Sequence, residues 1–353
     1  MRELISVVIP TYNSSSYLLS SIMSVAEQSY RPLEILVVDD GSKDSTPQLL
    51  NQVKDKLGSD ILFTVIRLEQ NTGTANALNV GFSRARGSYV CWLSADDLYI
   101  DRDKLMIQWK EMKRTHACWS YYTGSYSGKS PETAIPVRMA GTPIIRFLER
   151  VCRTNSELGL LRLLFWNPIN GSSVMINKVC TEKFGSFDPL LGRVDADGDL
   201  WMRMSALGIR AEPLTGAPVF YRVHPAQTSK KMIEMQKGKE LTRIRILIAL
   251  KRSGKLQKLI SKWKWFFILL LIENRVLYTI PYTTNLVLSE MLHDRTMLSR
   301  LFRGIILFGI MKSRRRASRL GFSIAEMHER LKQYMSSPVF ITFQSLLNHS
   351  QQD

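Results

Sequence analysis

The stretch that most constrains the fold is Tyr89–Asp97, YVCWLSADD, in which an apolar run rich in strand formers ends on small residues and two adjacent carboxylates. The apolar run does not alternate with polar residues, which predicts a strand covered on both faces, as in a parallel sheet flanked by helices. In open α/β sheets, ligands bind outside the carboxyl ends of the strands. Two neighbouring carboxylates repel each other, and a bound cation lets both stay ionised. Asp96 and Asp97 are therefore candidates for a metal and ligand site, and the alternative is an aspartate that caps the helix beginning near Asp101.

The composition indicates a folded chain that stays inside the cell. The 353 residues are 45% hydrophobic and 22% charged, which suits two domains, or one α/β domain with an appendage. The four cysteines are far apart and form no CxxC pair, so neither a zinc site nor a disulfide framework is predicted. The N-terminal MRELISVVIP lacks a basic segment followed by a long apolar one, and we therefore expect a cytoplasmic protein.

The positive charge is concentrated towards the C-terminus. Residues 230–320 hold 21 lysines and arginines against 5 acids, a net charge of +16 out of +17 for the whole chain. An enzyme that binds nucleic acid and a protein that sits on anionic lipid both carry basic blocks of this kind. Charge alone does not choose between them.

Strand and helix patterns alternate along the first 100 residues. Strands are predicted over Ile5–Pro10, Leu33–Val38 and Ile61–Leu68, and helices from about residue 14 to 28, over Pro47–Lys56 and around residues 75–85. The second strand ends on Asp39 and Asp40, which repeats the placement of acids at a strand end. This alternation implies a parallel sheet with right-handed crossovers.

Four segments in this order, SVVIPTYN, LEILVVDDGSKDST, NTGTANALNVGFSRARG and YVCWLSADD, resemble the nucleotide-binding half of family 2 glycosyltransferases. The resemblance implies a glycosyltransferase-A fold, which is an α/β fold with a doubly wound, mostly parallel sheet. It also implies a nucleoside-diphosphate-sugar site across the strand ends. By motif, Thr11 and Tyr12 lie against the nucleotide, Asp40 binds the base, Asp96 holds the ribose and Asp97 ligates the Mn²⁺ or Mg²⁺ ion that bridges the phosphates.

The residues themselves agree with this assignment but leave alternatives open. Negative charge grows on a diphosphate leaving group as the glycosidic bond breaks, and an aspartate-bound divalent cation offsets it. The family often has an acid where Ser94 stands, so the match is incomplete there. For Asp39 and Asp40 the alternative is a turn before Gly41, and for residues 11–13 it is helix capping.

A second acidic cluster lies in FDPLLGRVDADGDLWMRM, residues 187–204. The spacing of Asp195, Asp197 and Asp199 suits a calcium loop, but the later bidentate glutamate of such loops is missing. DGDLW matches the acceptor-half motif of the family, although Ala196 stands where the family often has Glu or Gln. The resemblance implies that Asp197 is the catalytic base and Asp199 a cap or an acceptor-binding residue. The alternative for all three aspartates is helix capping alone.

The reaction explains the need for one carboxylate in this cluster. In a single displacement the acceptor hydroxyl attacks the anomeric carbon, and a nearby carboxylate takes its proton, so the product is inverted. Closing strands are predicted over Ile209–Leu214 and Pro218–Val223, followed by His224. This histidine resembles one that many family members place near the metal, and imidazole suits Mn²⁺. The alternative for His224 is a structural hydrogen bond.

The chain between the two acidic regions is predicted to be mostly helical. The predicted elements are helices over Lys104–Arg114, Thr142–Arg153 and Ser156–Phe165, and a strand over Ala117–Tyr122. The segment TGSYSGKSPETAIPVR, residues 123–138, is rich in Gly, Ser and Pro. It is predicted to be a loop without its own core, either a lid over donor or acceptor or a plain surface loop.

The region from Lys230 onward is predicted to be a basic helical extension. No uncharged run there reaches about 18 residues, so none is predicted to span a bilayer. Helices with Lys, Arg and Trp around apolar faces are typical of anchors that lie in the membrane plane. The alternative is an extension that packs on the catalytic domain or forms a homodimer. The predicted parts are thus a nucleotide-sugar half (1–100), an acceptor half (101–229) and this extension (230–353).

These patterns together predict an inverting, metal-dependent glycosyltransferase. UDP-sugar is the default donor, and the acceptor is a hydroxyl of a cell-surface glycan or lipid-linked oligosaccharide at the inner face of the membrane. A nucleotidyltransferase is the second hypothesis, but TYNSSSYL lacks the Gly and basic residues of a phosphate-binding loop. The third is a nucleic-acid-binding or scaffold protein with a vestigial sugar site. Because Asp40, Asp97 and Asp197 are intact, we expect no nucleic-acid partner.

Overall fold

A computed structural model of the protein describes residues 2–137, 155–165, 167–192, 194–225, 227, 232–263, 283, 287–288, 290–291 and 324–349. The chain forms two compact units. The first contains residues 1–140, 168–193 and 210–228, and the second contains residues 141–167, 194–209 and 229–353. The division into three parts drawn from the sequence stays a prediction.

The first unit carries every strand of the described residues. The strands are β1 (Ile5–Thr11), β2 (Leu33–Asp39), β3 (Ile61–Arg67), β4 (Tyr89–Trp92), β5 (Leu98–Tyr99), β6 (Trp119–Tyr122), β7 (Ser125–Gly128), β8 (Ile135–Val137), β9 (Met175–Asn177), β10 (Ala211–Leu214) and β11 (Val219–Arg222). Its helices are α1 (Leu18–Ala26), α2 (Thr46–Val53), α3 (Thr74–Arg84), α4 (Lys104–Thr115) and α6 (Lys178–Phe184). A second group of helices, starting with α5 (Ser156–Phe165), belongs to the second unit.

Seven of the strands form the main sheet, in the order β10-β6-β9-β4-β1-β2-β3. β1 pairs in parallel with β2 and β4, and β2 pairs in parallel with β3. β9 runs antiparallel to both of its neighbours, β4 and β6, while β10 is parallel to β6. The predicted mostly parallel sheet is therefore confirmed.

The pattern of burial follows from the position of each strand in the sheet. All residues of β1 and β2 are buried, whereas residues of the edge strand β3 are largely exposed or half-buried. Val7 and Ile9 of β1 share a core with Leu18 and Ile22 of α1. On the opposite face α3 approaches so closely that a Cβ at Gly81 would lie 2.3 Å from Val8 Cγ1. Helices on both faces thus explain why β1 has no polar alternation.

The prediction that residues 123–138 form a loop is wrong for two parts of the segment, although no residue of those parts is buried. These residues contain β7 and β8, which join β5 and β11 in a four-stranded sheet of order β5-β11-β7-β8. β7 pairs in parallel with β11 and antiparallel with β8. The pairing with β11 satisfies backbone groups of the Ser- and Gly-rich segment through a partner about 90 residues away, which local composition does not reveal.

The described part of the second unit is helical. Besides α5 it contains α7 (Ala196–Ala206), α8 (Met232–Arg252), α9 (Lys255–Lys262), α10 (Ile324–Met335) and α11 (Pro338–His349). The helix predicted over Thr142–Arg153 lies outside the described residues, as do residues 264–272 and 301–310 of the predicted membrane anchor. Among the described residues, no helix combines the length and apolar character needed to cross a membrane.

One lysine in the first unit is completely buried. Lys104 begins α4, and its Nζ lies 4.2 Å from the centroid of the Tyr99 ring. No hydrogen-bond acceptor for this nitrogen is found among the described residues. Burial lowers the pKa of Lys104 to about 8, because desolvation disfavours the ammonium form.

We expect Lys104 to make the protein more stable as the pH rises above 8. The unfolded chain keeps the Lys104 proton up to its ordinary pKa of about 10.4, whereas the folded chain loses it near pH 8. The unfolded state therefore binds more protons in this window, and the free energy of unfolding rises with pH. Replacing Lys104 by Met should stabilise the protein at pH 7 by on the order of 3 kcal/mol, and this advantage should shrink towards pH 9.5.

Urea unfolding of the wild type and Lys104→Met at several pH values measures this effect. Lys110→Met is the matched control, because Lys110 is exposed on the same helix. A difference between wild type and Lys104→Met that stays constant from pH 7 to 9.5 would contradict the prediction.

Candidate functional site

The predicted donor-binding residues gather at one edge of the main sheet. Thr11, at the end of β1, is in register with Asp39 at the end of β2. The backbone N–H of Asp40 donates to the Thr11 carbonyl oxygen at 2.8 Å. β4 lies on the other side of β1 and leads to Asp96 and Asp97. Parallel pairing therefore brings the ends of three strands, and the polar residues after them, to the same side.

The Asp39–Asp40 pair is used in two different ways. Asp39 Oδ1 accepts a hydrogen bond from the Ser42 backbone N–H at 2.9 Å, as expected for a turn. Asp40 accepts three hydrogen bonds, two from Thr72 and one from the Gly73 backbone N–H. Asp40 thereby fixes the loop before α3, and about one of the acceptor positions of its carboxylate is left for a ligand.

Thr11 and Tyr12 do not cap a helix. The N-cap position of α1 is Tyr17, and no side chain bonds there. Thr11 is buried, and its Oγ1 has no hydrogen-bond partner within the described part of the chain. Tyr12 is 41% exposed. A hydroxyl without a partner beside an exposed ring is an arrangement suited to a polar ligand with a planar part.

Asp97 is buried, and its carboxyl group accepts hydrogen bonds from other protein groups. Its side chain accepts a hydrogen bond from Ser172 Oγ at 2.6 Å and one from the Arg222 backbone N–H at 3.2 Å. Burial, together with the neighbouring Asp96, raises the pKa of Asp97 to about 8. Ser172 follows Gly171, whose position against Trp92 leaves no room for a Cβ, since the nearest ring atom would be 2.2 Å away. Asp97 thus ties together β4, the 171–173 turn and β11.

Asp96 faces His224 instead. Asp96 Oδ2 lies 2.9 Å from His224 Nε2, and the side chains of His224 and Asp96 are 13% and 28% exposed. The His224 ring packs on Tyr17, with a centroid distance of 4.8 Å. Arg222 donates through Nε to the Asp96 carbonyl oxygen at 3.0 Å, and its guanidinium lies 5.0 Å from the Tyr17 centroid. Asp96 and His224 are therefore two potential metal-binding side chains that are accessible from solvent.

The Asp96–His224 pair fits a divalent cation. A carboxylate oxygen and an imidazole nitrogen suit Mn²⁺, and a hard cation of the Mg²⁺ type needs one or two protein ligands besides phosphate and water. No group of three or more His, Cys, Asp or Glu side chains placed to hold a metal is found among the described residues. The Asp96–His224 pair is the candidate for the protein part of a metal site.

Sequence reasoning missed three residues at this site. Tyr17 and Ser172 carried no signal, because their contacts come from distant parts of the chain. Arg222 had a signal, since it lies two residues before His224 at the end of a strand and side chains two apart point to the same face.

The three aspartates of the second unit also differ in their surroundings. Asp195 precedes α7 and is buried, with Oδ2 3.1 Å from Arg243 Nη1. Asp199 is fully buried between Arg203 and Arg245, and its Oδ2 lies 2.7 Å from Arg203 Nε. Asp197 lies between them in the first turn of α7 and is partly exposed. Within the described residues, Asp195 occupies the N-cap position of α7 but makes no side-chain capping bond.

The pKa values of these aspartates follow their environments. Burial raises the pKa of Asp195 to about 6, although Arg243 opposes it. Burial also raises the pKa of Asp197 above its ordinary value. For Asp199, burial acts in the same direction, but Arg245 and Arg203 outweigh it and the pKa is lowered. Asp197 thus combines partial exposure with increased basicity, as a general base requires.

Comparison with known proteins relates the first part of the chain to a family of enzymes. Residues 6–166, a little less than half of the chain, match the family model described as Glycosyl transferase family 2. This segment is similar to glycosyltransferase family 2. The match includes the donor-site strands β1, β2 and β4, and it ends before the aspartate cluster of the second unit.

Two curated relatives carry glycosyltransferase names. An uncharacterized glycosyltransferase of Rickettsia typhi is 29% identical over 233 residues, covering 64% of this chain and 66% of the relative. The putative teichuronic acid biosynthesis glycosyltransferase TuaG of Bacillus subtilis is 35% identical over 147 residues, covering 42% and 53%. The matched part of this chain therefore spans just under two thirds of the first relative and about half of the second.

A solved structure shares the fold. The mannosyltransferase PcManGT from Pyrobaculum calidifontis, in complex with GDP-Man and Mn²⁺, superposes with a TM-score of 0.55 at 17% identity. The superposition covers 100% of this chain and 89% of that protein. At this identity the likeness concerns the fold, and the predicted glycosyltransferase-A fold is confirmed.

Proposed function

We propose that the protein transfers a sugar from a nucleoside-diphosphate sugar to an acceptor hydroxyl. The family match supports this reaction over nucleotidyl transfer. The observation that carries the proposal is the partly exposed Asp96–His224 pair. Asp96 follows β4, which pairs in parallel with β1, and open α/β sheets bind their ligands at the carboxyl ends of such strands.

In this proposal Asp96 and His224 bind Mn²⁺ or Mg²⁺. The cation would supply positive charge to the departing diphosphate. PcManGT was solved with both a nucleotide sugar and Mn²⁺, which supports the choice of cation. Asp97 was predicted to be the ligand, but both contacts of its buried carboxylate are to protein donors. We therefore assign it the task of holding Asp96 and His224 in place.

The nucleotide is proposed to bind beside this pair. Thr11 Oγ1 has no partner among the described residues, and Tyr12 offers an exposed ring. Asp40 retains acceptor capacity for an N–H of the base. UDP-sugar is the first donor to test.

We expect one nucleotide sugar to raise the melting temperature in Mn²⁺ but not in EDTA, because a ligand stabilises the fold in proportion to its occupancy. A panel of UDP-, GDP-, dTDP- and CDP-sugars tests this. Asp96→Asn and His224→Ala should weaken Mn²⁺-dependent binding of that donor by at least about tenfold, a typical effect of disturbing a metal site. The measurement is titration calorimetry with and without Mn²⁺.

Asp97→Asn tests whether Asp97 positions the metal ligands or is a ligand itself. Asparagine keeps one acceptor oxygen for the Asp97 contacts, so this variant should lower thermal stability yet retain the response to Mn²⁺. If Asp97→Asn lost that response while Asp96→Asn kept it, Asp97 would be the metal ligand. Equal donor affinity with and without Mn²⁺ would refute metal dependence.

For the acceptor step, we propose Asp197 as the general base of an inverting single displacement. Its raised pKa and partial exposure support proton transfer from a hydroxyl. Asp199, predicted to be a cap or an acceptor ligand, is fully buried in ion pairs with Arg203 and Arg245. We therefore give Asp199 a structural role. The relative named for teichuronic acid biosynthesis supports a polysaccharide or lipid-linked acceptor of the cell envelope.

Asp197→Asn should lower kcat by about a hundredfold or more, because loss of a general base costs this much. Donor affinity should stay unchanged, since the base acts on the acceptor hydroxyl. The measurement is transfer of labelled sugar to a panel of glycans and lipid-linked oligosaccharides, with donor binding measured in parallel. Turnover near the wild-type value would remove Asp197 from the mechanism.

We also propose that the basic region holds the protein at the inner face of the membrane. The net charge of +16 over residues 230–320 supports this, although Arg243 and Arg245 are buried in ion pairs and contribute nothing to a surface. Each basic residue near anionic lipid adds about 1 kcal/mol.

Flotation with anionic vesicles should therefore recover the full-length protein, and high salt should weaken binding without abolishing it, because inserted apolar faces are not screened. Neutral vesicles are the control. Failure to bind anionic vesicles, together with tight binding to nucleic acid or with dimer formation in solution, would contradict membrane association.

A further inference from the structure

Helix α8 of the basic region supplies two arginines to the interior of the second unit. Arg243 and Arg245 are among the largest fully buried side chains of the described residues. They lie two positions apart on the helix and bind different partners. Arg243 pairs with Asp195, and Arg245 pairs with Asp199.

The two ion pairs are fixed by further contacts. Arg243 Nη1 also donates to the Lys239 carbonyl oxygen at 2.9 Å. Arg245 Nε donates to Asp199 Oδ1 at 3.0 Å, and its Nη1 donates to the Tyr334 carbonyl oxygen in α10 at 3.1 Å. The Arg245 guanidinium lies 4.7 Å from the centroid of the Phe340 ring in α11. The start of α7 is therefore bound to α8 on both sides of Asp197.

We propose that Arg243 is a positioning residue for Asp197. Its ion pair turns the Asp195 carboxylate into the interior and fixes the start of α7, so that Asp197 is the aspartate of this cluster left partly exposed. The proposal rests on the proposed role of Asp197 as the general base. It gives a basic residue of the C-terminal region a task in the reaction itself.

The charge of Arg243 also acts on the proposed base. Burial raises the pKa of Asp197, while Lys239 and Arg243 of α8 lower it. The acidic neighbours of Asp197 are Asp195, just before α7, and Asp199, within α7. Arg243 thus keeps Asp197 ionised at a lower pH than burial alone would allow.

Arg243→Met alone is a poor test, because removing one partner of a buried ion pair leaves an unpaired charge and strongly destabilises the fold. The informative pair is Asp195→Asn and the double variant Asp195→Asn/Arg243→Met. In Asp195→Asn the new side-chain amide oxygen still accepts a hydrogen bond from Arg243, but the guanidinium stays buried without its counter-charge, so this variant should be less stable than the wild type. The double variant holds neither buried charge. The two variants differ only at position 243.

In the full-length protein, Asp195→Asn should retain kcat within a few-fold of wild type. The double variant should fold, with a melting temperature at or above that of Asp195→Asn, because it lacks the unpaired buried charge, but it should lose kcat by at least about tenfold with donor affinity unchanged. The acidic limb of its kcat–pH profile should lie at higher pH than that of Asp195→Asn, because the cation beside Asp197 is gone. A merely structural role of Arg243 would not move this limb.

Lys251→Met is the matched control, since Lys251 lies on the same helix, α8, and forms an exposed ion pair with Glu290. It should leave kcat and the pH profile unchanged. The proposal is overturned if the double variant matches Asp195→Asn in kcat and in its acidic limb, or if Lys251→Met reproduces the loss. Failure of the proposed function is distinct: it would show as an Asp197→Asn variant that turns over normally.

Discussion

The parallel pairing of β1 with β2 and β4 is the constraint on which the proposed donor site depends. Parallel strands in one sheet end at the same edge, so the direction of the strands is enough to bring the polar residues that follow them close together. β1 is buried along its whole length because helices cover both faces of the sheet. The apolar core that stabilises these strands therefore also determines where Thr11, Asp40 and Asp96 are placed.

Environment, and not residue type, separates neighbouring carboxylates in this protein. Asp96 and Asp97 are adjacent, yet one faces His224 and solvent while the other bonds Ser172 and the Arg222 backbone. The same contrast recurs among Asp195, Asp197 and Asp199, of which the outer two form buried ion pairs. Burying two neighbouring carboxylates in the same apolar environment is energetically costly, so neighbouring aspartates in this protein have different partners and different exposure.

The basic C-terminal region has an internal use as well as its surface charge. Arg243 and Arg245 compensate buried aspartates that lie more than 40 residues earlier in the chain. A net charge counted from the sequence therefore overstates what a membrane or any other partner would meet. The two ion pairs also connect this region to the helix that carries the proposed base.

The sequence by itself determined the local elements of the first 100 residues. β1, β2, β3 and β4 appear within one or two residues of their predicted bounds, because continuous apolar runs for strands and amphipathic periodicity for helices are both local patterns in the sequence. The motifs at the strand ends were equally visible, and they were enough to indicate the family. None of this required knowledge of long-range contacts.

Only the tertiary structure decided how those acids are used. Which of Asp96 and Asp97 is accessible depends on Ser172 and on β11, some 75 and 125 residues further along the chain. The pairing of β7 with β11 and the ion pair of Asp195 with Arg243 are also long-range contacts. Burial and charge pairing are properties of residues brought together from distant positions, so adjacent residues with the same side chain look identical in the sequence and differ in the fold.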